Sequence, residues 1–198
     1  LDGAPDWVRY TLARSAQIAG NNTRFGELLG EGGSGTDESA PIRLLKAEAA
    51  WESDRGPEGA AILEELLGDP DAGYRAAFLL GLYYLDRGDA PAARSVLEKN
   101  GEFAASVPGK EFEARILLLE NRPSAAADVY RELGARSDEA RVFLSKRAFE
   151  AKDWRTAREL TQSLINDHPN EPAFSLNLQK IEEAEHAAEK TAAPRARE

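Results

Sequence analysis

Cysteine and methionine are both absent from this 198-residue chain, and histidine occurs only twice. Without cysteine there is no disulfide, no thiol nucleophile and no thiolate metal site. Two lone histidines do not make a closed zinc site either. No stretch approaches the roughly 18 apolar residues that a membrane-spanning helix needs. Nowhere do Val, Ile and Thr alternate with polar residues as in a half-buried strand. An excess of cations is also lacking. The net charge is −10 and the pI about 4.9. Such a chain repels phosphate backbones and anionic lipid surfaces, so nucleic acid is not an expected partner.

What is present suits a folded core, since 42% of the residues are hydrophobic. Arginine (18) far outnumbers lysine (7) and alanine is abundant, the usage of a G/C-rich, bacterial genome. The chain opens Leu1-Asp2-Gly3-Ala4-Pro5 without an initiator methionine. A cleaved signal peptide, an expression boundary or a longer parent chain would each account for that. Export to the periplasm is the expectation, with a cytoplasmic location as the alternative.

Residues 6–29 read as one or two helices, with a break at Gly20-Asn21-Asn22. Residues 30–40 hold four glycines and almost no apolar side chain, which predicts a mobile linker. Gly30, Gly32 and Gly35 spell GxGxxG there. A helix-like Glu27-Leu28-Leu29 precedes them and acidic residues follow, so a dinucleotide site is not expected. From residue 40 onward, helical runs alternate with short breaks. The breaks fall at Arg55-Gly56-Pro57, Gly68-Asp69-Pro70, Arg87-Gly88-Asp89, Asn100-Gly101, Asn121-Arg122-Pro123, Gly134, Lys152-Asp153 and Asp167-His168-Pro169. The tail 191–198 is expected to be disordered.

The runs repeat. Ala60, Ala93, Ala126 and Ala157 each lie early in a second helix, at spacings of 33, 33 and 31. Leu63, Val96, Val129 and Leu160 follow three residues later. Small residues let two helices cross closely, and the larger ones fill the space beside them. Leu80-Gly81 and Tyr84 mark a first helix, and Pro169 closes a repeat. In these features the chain resembles the tetratricopeptide repeat family, whose period is about 34 residues. The resemblance covers about two thirds of the chain. Trp51 and Tyr84 fill the family's aromatic position, whereas Leu117 and Ala148 depart from it. Glu48 and Ala114 stand where the family prefers glycine.

The resemblance implies an all-α fold, a right-handed superhelical solenoid of antiparallel helix pairs. The four repeats would be 41–73, 74–106, 107–137 and 138–171, with a solvating cap helix over 172–190. The first helix of each repeat would line a concave groove. That groove would present Arg75, Phe78, Leu79, Leu82 and Leu85, then Phe112, Arg115, Leu118 and Leu119, then Val142, Phe143, Lys146 and Phe149. Some of these would be core between helices. Co-chaperone members of the family clamp a carboxylate with Lys and Asn. The matching positions here hold Leu45, Ala49, Leu79 and Arg115, so that clamp is not expected.

The functional expectation is a non-catalytic protein–protein interaction scaffold or accessory subunit, binding an apolar or amphipathic segment in the groove. A groove-based sensor or carrier of a small ligand or peptide is the alternative, with a domain cut from an enzyme ranked behind it. No cofactor and no metal are expected. His168 lies in a turn, and His186 four residues after Glu182 reads as a solvated face. Residues 6–29 could also fold back to occupy the groove, or the chain could self-associate.

Overall fold

The computed structural model describes residues 5–30, 38–52 and 55–192. Residues 31–37 and 193–198, where most of the expected linker and tail fall, lie outside that range. The described residues form α-helices and one 3-10 turn, with no strand. In chain order the helices are α1 Asp6–Ile18, α2 Asn22–Gly30, α3 Ala40–Glu52, α4 Gly56–Leu66, α5 Gly73–Asp86 and α6 Ala90–Lys99. Then follow α7 Gly101–Ala105, α8 Val107–Leu119, α9 Pro123–Leu133, α10 Asp138–Glu150, α11 Trp154–Asp167 and α12 Pro172–Ala192. Residues 1–112 and 113–198 are two compact units, with the division inside α8.

Two ends of the expected linker and tail are corrected. Gly30 closes α2, and Thr191 belongs to α12. Glu38 and Ser39 are anchored rather than loose. Glu38 bridges Arg9 and Lys46, and the Ser39 N–H donates to Asp6 at 2.8 Å.

A local device recurs at the end of each first helix. The N–H of Asn21, Arg55, Asp89, Arg122 and Asp153 donates to the carbonyl five residues back, that of Ala16, Ala50, Tyr84, Leu117 and Ala148 respectively. This bond closes a helix when the residue before the donor turns left-handed. Gly20, Gly88, Asn121 and Lys152 adopt φ of 69, 69, 57 and 59° at the matching places. Asp89 and Asp153 then cap the next helix, accepting from the N–H of Ala92 at 3.0 Å and Thr156 at 3.1 Å. The five donors are spaced 34, 34, 33 and 31 residues apart. The turn between α1 and α2 is thus closed by the same bond as the later turns.

The α1–α2 pair packs on α3. Ala13, Ala16, Phe25, Leu28 and Leu29 close on one another and on Leu45, with Ala49 beside them. Arg9, only 7% exposed, holds the arrangement by donating to the Leu28 carbonyl at 3.2 Å and to Glu38 at 3.3 Å.

In residues 1–112, α3, α4, α5 and α6 pack pairwise in succession around Leu63, Leu66, Leu80, Tyr83 and Val96. Close approach is set by missing side chains. A Cβ on Gly59 would lie 2.8 Å from the Ala47 carbonyl oxygen, so α4 crosses α3 at backbone contact. A Cβ on Gly81 would lie 2.5 Å from the Phe112 ring, which occupies that space. Phe112 stacks on Phe78 at 5.6 Å and meets the edge of Phe103 at 5.2 Å. Residues 113–198 are organised the same way, with α9, α10, α11 and α12 in succession. All four repeat alanines are buried. Leu63, Val96 and Val129 are buried beside them, whereas Leu160 is half-exposed and Thr161 and Leu164 take its place.

Candidate partner-binding cavity

Glycine is replaced by Ser145 on α10, at the position equivalent to Gly81 on α5, where the first helix of the pair meets its neighbours. Ser145 is buried and donates to the Ala157 carbonyl at 3.1 Å, and its oxygen lies 2.8 Å from the Thr161 hydroxyl. A cavity of about 390 Å³ opens over these two hydroxyls, between α10, α11 and α12. Its walls are Val142 and Phe149 from α10, Leu164 from α11, and Phe174 and Ile181 from α12. Lys146, Glu150, Asn177 and Lys180 stand at the polar margin. Phe149 is braced edge-on by Trp154 at 5.4 Å, and Ile181 packs with Ala148 and Ala157.

A polar cluster supports the far end of α10. Arg141, 4% exposed, donates to Asp138, Asp167 and Ser163. His168 approaches Asp138 at 2.6 Å and lies 6.0 Å from the Phe174 ring, on the cavity wall. The hydrogen bond from Arg141 holds the Asp138 carboxyl below its ordinary value of 3.8; burial opposes this and the His168 contact adds to it. A depressed carboxyl contributes stability that is full above the ordinary value and is lost as pH falls through the lowered one. Wild type should therefore lose stability more steeply than Asp138→Asn as pH falls below the ordinary carboxyl value of 3.8. Because Asp138 is half exposed, the difference should stay under about 1 kcal/mol. Urea denaturation at pH 5 and pH 3 would measure it, and parallel losses in both proteins would remove Asp138 from the account.

Glu139 anchors the neighbouring helix. It accepts a forked pair of bonds from Arg115 and one from the Tyr130 hydroxyl at 2.6 Å. Burial raises its pKa, yet the Arg115 and Tyr130 bonds outweigh this and hold it below the usual carboxylate value.

Of the expected groove residues, Val142, Lys146 and Phe149 share the cavity. Phe143 is half-buried against the Tyr130 ring at 4.7 Å, while Leu118 and Leu119 are exposed. Arg115 is engaged with Glu139. In residues 1–112, Leu79 and Phe112 are core, 9% and 3% exposed, so neither offers a binding surface. Phe78, Leu82 and Leu85 are half-buried against that core. Arg75 is exposed, lies over the Phe78 ring and pairs with Glu48 at 3.1 Å. Glu48 also takes Arg14 at 3.0 Å, on the margin of a second hollow lined by Trp7, Tyr10 and Leu44.

No protein-family model, curated protein or solved structure matches this chain. The cavity is therefore read from its own chemistry. Sequence reasoning missed its α12 wall because residues 172–190 read as a polar cap. Phe174 and Ile181, seven residues apart on one helical face, were the available signal. It also missed the buried Arg9 and Arg141, since arginine reads as solvated by default.

Proposed function

We propose that this chain is a non-catalytic interaction scaffold of the tetratricopeptide type, an accessory subunit that receives an apolar or amphipathic segment of a partner protein. In this reading the helix pairs stack as a right-handed superhelix whose first helices face the partner. The turn repeated every 31–34 residues supports the family resemblance. The observation that carries the functional reading is the cavity on α10, with an aromatic wall and a polar margin. Partner binding concentrates on such anchoring pockets.

A small-ligand sensor or carrier is the second reading. It is favoured by the cavity's volume of about 390 Å³. Small-molecule sites span about 300–1,000 Å³.

Val142 is 44% exposed on the cavity wall, so a carboxylate there charges the site without disrupting the core. Affinity capture by the immobilised full chain should recover partners with wild type and with Glu183→Ala, on the exposed face of α12. Val142→Asp should lose them by roughly thirtyfold, the effect of an interface hot spot. Equal recovery by all three proteins would sink the cavity as the binding site.

A further inference from the structure

We propose that the occupant of the α10–α12 cavity is an acidic amphipathic polypeptide segment. Its large apolar side chains enter the cavity and its carboxylates meet Lys146 and Lys180. This inference rests on the scaffold reading and specifies the partner's chemistry.

The floor favours an apolar group. Ser145 gives its proton to the Ala157 carbonyl at 3.1 Å, so Thr161 is the donor in the 2.8 Å contact between the hydroxyls. Both hydroxyl protons are then used inside the protein, and neither asks for a polar ligand. Above them stand Phe149, Leu164, Phe174 and Ile181. An incoming aliphatic or aromatic side chain would gain burial there at no cost in unpaired polar groups.

The margin favours an anion. The chain as a whole carries −10, and its arginines in this unit are largely matched by its own carboxylates. Arg115, Arg141, Arg155 and Arg158 pair with Glu139, Asp138 and Asp167, Glu159, and Glu185. The cavity lysines are different. Lys180 has no ion-pair partner among the described residues. Lys146 meets Glu150 only at 3.9 Å, with side chains 76% and 61% exposed. A pair that open and distant contributes little, so both ammonium groups are available to a partner. One stands on α10 and the other on α12, on either bank of the cavity. Glu150 sets one carboxylate against these two lysines, so the margin keeps one positive charge in excess. An acidic segment meets complementary charge there, while a basic one meets net like charge.

The test uses the full chain and two dye-labelled peptides. Both are acetylated and amidated amphipathic helices with Leu and Phe one turn apart, flanked by Glu in one and by Lys in the other. Fluorescence anisotropy should show the Glu peptide binding about tenfold tighter than the Lys peptide, consistent with electrostatic complementarity. Lys146→Glu/Lys180→Glu, a pair of exposed substitutions, should reverse that order, and Val142→Asp should remove binding of both. Equal or tighter binding of the Lys peptide to wild type would overturn the acidic partner and leave the scaffold reading standing. Failure of both peptides together with binding of dodecanoate would overturn the polypeptide occupant and favour the small-ligand reading. Exclusion of both peptides by self-association, seen as a dimer in sedimentation, would assign the face to a second copy and overturn the proposal.

Discussion

Phe112→Ala should destabilise the protein by about 3–5 kcal/mol. The ring is 3% exposed and is held between Phe78 and Phe103. It also fills the space that Gly81 leaves open, where even a Cβ would come within 2.5 Å. Glycine cannot grow into the vacated volume, and the neighbouring rings are fixed by their own contacts. The truncation therefore leaves a cavity in addition to the lost burial. Chemical denaturation of wild type and variant measures the difference. A loss under about 1 kcal/mol would mean that the ring is not core, and the surface role expected from the sequence would return. The reciprocal change, Gly81→Ala, should also destabilise, by about 1–3 kcal/mol, because the ring must shift.

Arg9→Ala should release α1 and α2 while leaving the rest of residues 1–112 folded. The guanidinium joins three parts of the chain: Asp6, the Leu28 carbonyl and Glu38. Glu38 has a side chain only 9% exposed, so losing Arg9 strands a largely buried carboxylate. Breaking a buried pair in this way costs about 3–5 kcal/mol, and the lower end applies because Lys46 still meets Glu38 at 2.7 Å. Hydrogen exchange should show amide protection falling in α1 and α2 and holding in α5 and α6. Arg9→Met combined with Glu38→Gln should recover most of the protection, since no unpaired charge then remains. Unchanged protection in Arg9→Ala would show that apolar contact with Leu45 alone anchors the pair.

The groove residues illustrate how far the resemblance reaches. The family resemblance placed Val142, Lys146 and Phe149 on the groove-facing side of α10, and they do line one cavity. The same resemblance placed Leu79 and Phe112 on the equivalent sides of their helices, and both are buried. A helix shows only which residues share a side. Whether a neighbour covers that side depends on crossings such as the one Gly81 permits. Ser145 and Thr161 show the same limit for polar residues, since their hydroxyls are matched across two helices 16 residues apart in sequence.

By itself the sequence determined the all-helical class, nearly all the helix breaks and the spacing of the buried alanines. These are local properties: left-handed turn residues, Asp caps, proline starts and small residues at crossings act within a few positions of the chain. Only the tertiary structure decided that α1 and α2 pack on α3, that Arg9 and Arg141 are buried, and that α12 forms one wall of a cavity. Those outcomes depend on which distant side chain fills which space and neutralises which charge, and no local pattern encodes that pairing.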